Sequence, residues 1–415
     1  MEKIKFKKIE IGEIPKGWKM SLLKDVAVVN ERTIDKKYPY TDIEYIDIAS
    51  VDKGRILEAR MLLRSEAPSR AQRIVRNNDI LLSTVRPNLK HFAFINTANS
   101  NTVASTGFAV ISSKTINPRF LYYYLTTDKY TNYLSAIADA HTSTYPAFNP
   151  NVLENSEILY PAEGEQQIIA KILSDLDEKI ELNHQMNKTL EAIAQTLFKR
   201  WFSDFKFPGY EKIRLLDGLP EGWREGVIKD CCVDIKNGGT PRRDQQHFWD
   251  EGNIPWLTSG EVRQPIITST ENFITDEGMK ASSAKWIDPF STVVALYGAT
   301  AGQISFVSNR LTTNQAVCSL IPKDNFSFFN YLWMRTAVNE LENKAVGSAQ
   351  QNISKAIVEE TPVLLPPDSI LEKFDIAIRP IFLKWILNID ESRKLAGIRD
   401  SILPRLMSGK IRVGR

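Results

Sequence analysis

The sequence predicts an α+β chain in which one globular α/β domain is written twice. Each copy is followed by a long helix, and the two helices are expected to pair as an antiparallel coiled coil with pseudo-two-fold symmetry. Three observations lead there: a repeat at constant offset, two long stretches with helical apolar spacing, and short strand-like runs ahead of each stretch.

The repeat opens with Ile14–Trp18 (IPKGW) against Leu219–Trp223 (LPEGW), an offset of 223 − 18 = 205. Leu23-Lys24-Asp25 matches Ile228-Lys229-Asp230 at the same spacing, and Tyr160-Pro161 matches Leu365-Pro366 before the helical stretches. A period this long is far beyond a solenoid unit and fits a duplicated domain-plus-helix module. The expected divisions are a first domain over 1–160, a central helix over 161–203, a second domain over 204–366 and a terminal helix over 367–415.

Within each domain, short β-branched or aromatic runs punctuated by Gly, Pro, Asn and Thr read as strands. These are 43–48, 80–85, 92–95, 293–296 and 304–307, with helices expected over 118–138 and 326–343. Residues 80–95 and 293–307 both read as two apolar strands around a polar turn.

After Gly164 the central stretch to Phe202 contains neither Gly nor Pro. Stepping alternately three and four residues from Ile169 meets Ile172, Leu176, Lys179, Asn183, Met186, Leu190, Ile193 and Leu197, a mostly apolar heptad seam. The second copy is less regular, with Phe374, Ile378, Ile381, Trp385, Ile389, Leu395, Ile398 and Ile402 as its apolar positions. Asn183 and Asn388 are repeat equivalents near the two helix midpoints, where an antiparallel pair would bring them face to face and fix the register. Each helix would span roughly 55 Å at 1.5 Å per residue. Such a pair could act as a ruler between two heads, on the scale of the about 34–36 Å turn of DNA. The plain alternative is two unrelated core helices in separate bundles.

Composition excludes more than it selects. With 415 residues, 43% hydrophobic and 25% charged, the chain can bury real cores and needs at least two domains. A net charge of +3 permits nucleic-acid binding without demanding it. No apolar run reaches bilayer length and no secretory leader opens the chain, so a cytoplasmic protein with no membrane partner is expected. Cys231, Cys232, Cys318 and the four histidines have no metal-ligand spacing, so no metal is expected. The chain lacks a phosphate-binding G-x-x-x-x-G-K-[ST] loop and a G-x-G-x-x-G turn. It also lacks the Asn-Pro-Pro-aromatic tetrapeptide of amino-methyltransferases, and no catalytic residue is proposed.

Several segments resemble those of type I restriction–modification specificity subunits. Residues 198–208 (FKRWFSDFKFP) are similar to the end of that family's central conserved region, and 399–413 (RDSILPRLMSGKIRV) to its C-terminal one. The openings IPKGW and LPEGW, with NGGTPRR at 237–243 and GNIPWLTSGEV at 252–262, fit the same pattern, so the resemblance covers nearly the whole chain. It implies two target-recognition domains, each reading one half of a split double-stranded DNA site, and a helix pair that docks two methyltransferase subunits. Translocating restriction subunits would be further partners. S-adenosylmethionine, ATP and magnesium would then sit on partners, leaving this chain without a cofactor and without catalysis. Two other classes stay open: a duplicated scaffold that holds two proteins apart without touching nucleic acid, and a methyltransferase or nuclease in its own right.

Base edges call for Arg, Lys, Asn, Gln, Ser and Thr on exposed loops, and phosphates for cations and backbone amides. In the first domain that selects Arg86, Asn88 and Lys90 between two strands, and Thr144 and Tyr145 in a Thr/Ser-rich loop. In the second it selects Thr240, Arg242 and Arg243 beside a Gly-Gly turn, Tyr297, Thr300 and Gln303 in the strand connection, Asn314, and Gln350. The plain alternative for each is a solvated loop residue.

Overall fold

The computed structural model describes residues 6–9, 12–141, 146–216, 218–343 and 352–414. The chain divides into two compact units, Met1–Ile180 with Lys394–Arg415, and Glu181–Arg393. Each holds one domain and a segment of both long helices, so the domain limits expected from the repeat are not the limits of the compact bodies.

In the first unit an antiparallel sheet runs in the order Phe92–Phe94, Ile80–Ser83, Phe108–Ser113, Ala27–Val29. A second sheet runs Arg60–Leu63, Asp42–Ile46, Thr102–Ser105, Ala71–Ile74, with its two middle strands parallel. Lys19–Leu22 pairs with Glu157–Tyr160, tying the start of the domain to its end. The second unit repeats this plan. Its first sheet runs Ile304–Val307, Thr292–Ala295, Val317–Pro322, Cys232–Asn237, with the short Ile266–Ile267 added at the Ile304–Val307 edge. Its other sheet runs Asn272–Ile274, Ile254–Leu257, Leu311–Thr313, Trp286–Ile287, again with a parallel middle pair. Arg224–Val227 pairs with Pro362–Leu365. The strand order is thus retained in both copies where the sequences between the matching ends have drifted.

Each helix expected after the strands splits in two. Pro118–Leu125 stops before Asp128–His141, because the Thr126 and Thr127 hydroxyls turn back onto the Tyr122 and Tyr124 carbonyls. Hydroxyls that satisfy carbonyls locally compete with helix continuation. Ser327–Thr336 is likewise separated from Val338–Asn343 by the single residue Ala337.

The long helices span Glu163–Phe202 and Asp368–Met407. In the second unit, Phe198 and Phe202 near the end of the central helix meet Phe374 near the start of the terminal one, with ring centres 6.1 and 4.7 Å apart. Asn183 lies on Asn388 further along the same pair, so the two segments are antiparallel. In the first unit, Leu406 and Met407 share a core with Ile169 and Leu173, and Arg399 reaches Asp177 at 2.6 Å, again antiparallel. The repeat equivalents of Ile169 and Leu173 are Phe374 and Ile378, so both units use one design. The end of one helix copy closes on the start of the other.

The seam departs from the apolar count at two positions. Ile193 is 46% exposed and Ile398 is 50% exposed, whereas Ala194 is fully buried. From Asn183 the buried track steps to Asn187, Leu190, Ala194 and Phe198. The alternating three–four step falls on Met186, Ile193 and Leu197, whereas the more buried residues follow a step of four from Asn183 to Asn187 and again from Leu190 to Ala194 and Phe198. Leu190, Leu197, Ile381 and Trp385 belong to the second unit's core or pack against it, and Ile172 and Ile402 pack against the first. Leu176 and Leu395 are half-buried.

Asn183 and Asn388 are fully buried at the helix contact. The Asn183 amide donates to Glu391 at 2.9 Å and Ser392 at 3.2 Å, and lies 3.5 Å from the Asn388 carbonyl oxygen. The Asn388 amide donates to Asn187 Oδ1 at 2.9 Å. A one-turn slip would strand these groups away from water, which makes the cluster a register lock. We expect Asn388→Leu to destabilise the chain by about 1–3 kcal/mol, because Asn187 keeps a buried acceptor without its donor. The Asn187→Leu/Asn388→Leu pair should recover most of that loss. Urea midpoints for the two variants check this, and equal destabilisation by both would refute it.

All three cysteines are buried in the second unit. Burial pushes the Cys232 and Cys318 thiols up to about 12 and raises that of Cys231 as well. A thiol whose pKa is raised stays protonated at pH 8, and only the thiolate is nucleophilic. An aromatic disulfide reagent at pH 8 should therefore label no cysteine in the folded chain and all three after unfolding. Rapid labelling of the native protein would contradict the burial.

Candidate nucleic-acid interface

In the first unit the polar connection between Ile80–Ser83 and Phe92–Phe94 is built by local constraint. Pro87 opens a short turn, Pro87–Leu89, flanked by Arg86 at φ 46° and Lys90 at φ 59°. Left-handed backbone at two non-glycine residues costs roughly 1–2 kcal/mol each and persists only where neighbours hold it. Here the Arg86 amide donates to Pro146 at 2.7 Å, and the Phe148 amide donates to Thr84 at 3.1 Å. A bridge between Val85 and Ala147 completes the clamp. The Thr84 amide and hydroxyl both donate to the Gly107 carbonyl. Arg86 and Asn88 are exposed on this turn. Lys90 forms an ion pair with Asp128 at 2.6 Å. Leu89, 45% exposed between Asn88 and Lys90, adds an apolar side chain to the turn that a polar residue-type criterion does not select. Thr144 and Tyr145 lie outside the described residues, but Pro146 and Ala147, just after them, sit on the Arg86 turn.

The second unit assembles its polar loops in the same way. Gly238 and Gly239 run against the Leu311–Thr313 strand end and Ser283. A Cβ on Gly238 would stand 1.9 Å from the Thr313 carbonyl oxygen, and one on Gly239 2.3 Å from Ser283 Oγ. Only glycine permits that approach. It sets Thr240 beside Gln315, 2.5 Å between their side-chain oxygens. The Leu296 amide donates to Ala316 at 2.8 Å, the counterpart of the Thr84–Gly107 contact. Tyr297 bridges Asn352, the repeat equivalent of Ala147. The strand-connecting loop, the Gly-Gly turn and the 314–316 loop therefore converge.

Not every expected residue faces outward from that convergence. The Thr300 hydroxyl donates to Ser259 at 2.8 Å, and the Gln303 amide donates to Glu342 at 2.6 Å, so both are engaged in holding the fold. Asn314 Oδ1 accepts from the Ala316 amide at 3.1 Å, shaping its own turn, while the neighbouring Gln315 is the exposed residue. Gln350 lies outside the described residues. Arg242 donates to both carboxylate oxygens of Asp244, at 3.2 and 2.7 Å. That hydrogen bonding holds the Asp244 carboxyl below its usual range and raises the Arg242 guanidinium. Arg243 stacks on Trp249, its guanidinium carbon 3.9 Å from the ring centre.

Among the described residues no group of three His, Cys, Asp or Glu side chains is placed to hold a metal ion, and no helix is long and apolar enough to cross a membrane.

A family model for the type I restriction modification DNA specificity domain matches residues 15–192 and again 220–379. The chain is similar to the Type I restriction enzyme HindI specificity subunit of Haemophilus influenzae, 27% identical over 463 residues, covering 95% of this chain and 99% of that protein. It is also similar to the MjaIX specificity subunit of Methanocaldococcus jannaschii, 27% identical over 425 residues with 98% and 96% covered. The crystal structure of a type I restriction–modification S subunit from M. genitalium shares the fold, with a TM-score of 0.61 at 15% identity over 94% of this chain and 96% of that one. Two matched domains, at the places where the repeat and the two like-ordered sets of sheets lie, show that this chain belongs to the type I restriction modification DNA specificity family.

Proposed function

We propose that this chain is the non-catalytic reader of a type I restriction–modification complex, with each of its two domains contacting one half of a split double-stranded DNA site. The observation that carries the reading is the duplication of the polar loop cluster. The same connection of the same sheet is pinned to the same neighbouring loop in both units, at Thr84–Gly107 and at Leu296–Ala316. Two equivalent clusters on one chain suit two half-sites. Within this reading, residues 1–160 and 204–366 carry recognition, and 161–203 and 367–415 carry assembly. Arg86 and Asn88 serve the first half-site, and Thr240, Gln315 and Arg243 the second, Arg242 being held by Asp244.

The helices support the partner assignment. Leu182 and Leu387 are 50% and 62% exposed, and Ile193 and Ile398 are 46% and 50% exposed. Both pairs are separated by 205 positions, so the same apolar points stay uncovered on each helix copy. Repeated apolar points suit two copies of one protein partner, which we assign to two methyltransferase subunits, with translocating restriction subunits joining that assembly. S-adenosylmethionine, ATP and magnesium then belong to those partners, as membership of the specificity-subunit family implies. Action on cellular DNA places the complex in the cytoplasm.

Co-purification with the methyltransferase partner, followed by binding to duplexes carrying the methylated motif at graded salt, tests the whole reading. Sequence-specific, salt-dependent binding is expected, and indifference to sequence would sink it. Arg86→Ala should weaken specific binding by about 1–3 kcal/mol and relax one position of one half-site. Leu182→Glu/Leu387→Glu should instead release the methyltransferase while leaving the loops unchanged. Retention of the partner by that variant would move the docking site off the helices.

A further inference from the structure

The second unit holds an arginine on a prepared aromatic platform, and the two adjacent arginines of its Gly-Gly turn are not equivalent. Trp249 and Trp256 meet edge to face at 84° with centres 5.0 Å apart. Arg243 lies over both, 3.9 Å from the Trp249 centre and 4.9 Å from that of Trp256. Both indoles donate back to the loop that carries the arginine: Trp249 Nε1 to the Arg242 carbonyl at 3.1 Å, and Trp256 Nε1 to the Gly239 carbonyl at 2.9 Å. Trp256 is 1% exposed, so the corner rests on the core. Arg243 is exposed, and no ion pair engages it among the described residues. Its neighbour Arg242 is already gripped by Asp244 through both carboxylate oxygens.

We propose that Trp249 is a positioning residue that presents Arg243 to a guanine in the half-site read by the second unit, while Arg242 reads no base. This rests on the DNA-reading function proposed above and assigns it a residue and a base. A guanidinium stacked on a ring keeps its plane and its fork while losing its rotational freedom before binding. A fixed planar fork suits two parallel acceptors in one plane. In the major groove only guanine offers that pair, O6 with N7. A phosphate also accepts the guanidinium fork, but losing such a contact would weaken modification at all sequences alike and relax no single base position. Asp244 occupies the Arg242 fork, so a base contact by Arg242 would first have to displace a carboxylate that Arg243 does not face.

The test is the methylation motif of the complex formed by the full chain with its methyltransferase partner, read by sequencing modified bases in DNA exposed to each variant. Arg243→Lys keeps the charge on an exposed side chain and loses the fork. It should relax one G·C position in one half-site, with roughly tenfold or greater loss of preference there, and leave the other half-site intact. Trp249→Leu should reproduce that relaxation, Trp249→Phe should retain the motif, and Arg242→Ala should leave it unchanged. An Arg243→Lys complex with an unaltered motif, or with relaxation at an A·T position, overturns the guanine assignment. An unaltered motif in Trp249→Leu overturns the positioning role, as does Arg242→Ala relaxing the G·C position. A wild-type complex that yields no two-part motif would strike the underlying function instead, so the two failures are distinguishable.

Discussion

Each compact unit is closed by the last turns of one long helix packing on the first turns of the other. In the second unit, Phe198, Trp201 and Phe202 enter the core with Phe374, Ile378 and Phe382. In the first, Leu406 and Met407 enter the core with Ile169, Ala170 and Leu173. Neither domain could complete its core from its own half of the sequence, because the closing segment arrives from the other half of the chain. A residue such as Ile169 must suit Met407, and its equivalent Phe374 must suit Phe202, so the copies are constrained through each other. Edge-to-face ring pairs such as Phe202–Phe374, at 4.7 Å and 84°, add directional preference to the apolar burial.

A second layer of constraint sets the helix register. Aliphatic seams tolerate a slip of one turn, since one branched side chain replaces another at modest cost. The buried Asn183, Asn187 and Asn388 cluster does not, because each amide has a partner in only one register. The charged contacts Arg399–Asp177 and Arg412–Glu165 of the first unit act in the same sense nearer the helix ends. For a protein whose two domains must address two parts of one ligand, a helix pair locked in register matters more than a maximally stable one.

The candidate reading surfaces stand on this frame by close approach. Gly238 and Gly239 let one turn lie against the Thr313 strand end, and the clamp at Pro146 and Ala147 holds Arg86 in a left-handed conformation. The loops are short on internal freedom, so a polar side chain on them is presented in one direction. Recognition of this kind can change by exchanging residues on the turns while the sheets and helices stay as they are.

The sequence alone determined the duplicated organisation, the two long helices, the facing asparagines and the strands flanking the polar turns. Those features rest on local spacing and on self-similarity at 205 residues, and both are visible without coordinates. Tertiary structure decided what a linear count cannot carry. It placed Ala194 in the seam in place of Ile193, because the helix turns four residues, not three, from Leu190 to its next buried contact. It turned Thr300, Gln303 and Lys90 onto Ser259, Glu342 and Asp128, partners that lie far away along the chain. It also separated Arg242 from Arg243, adjacent and alike in sequence, by giving one a carboxylate and the other a tryptophan corner. Side-chain direction depends on neighbours brought close only by folding, and in this chain that decides which polar residue remains available to a ligand.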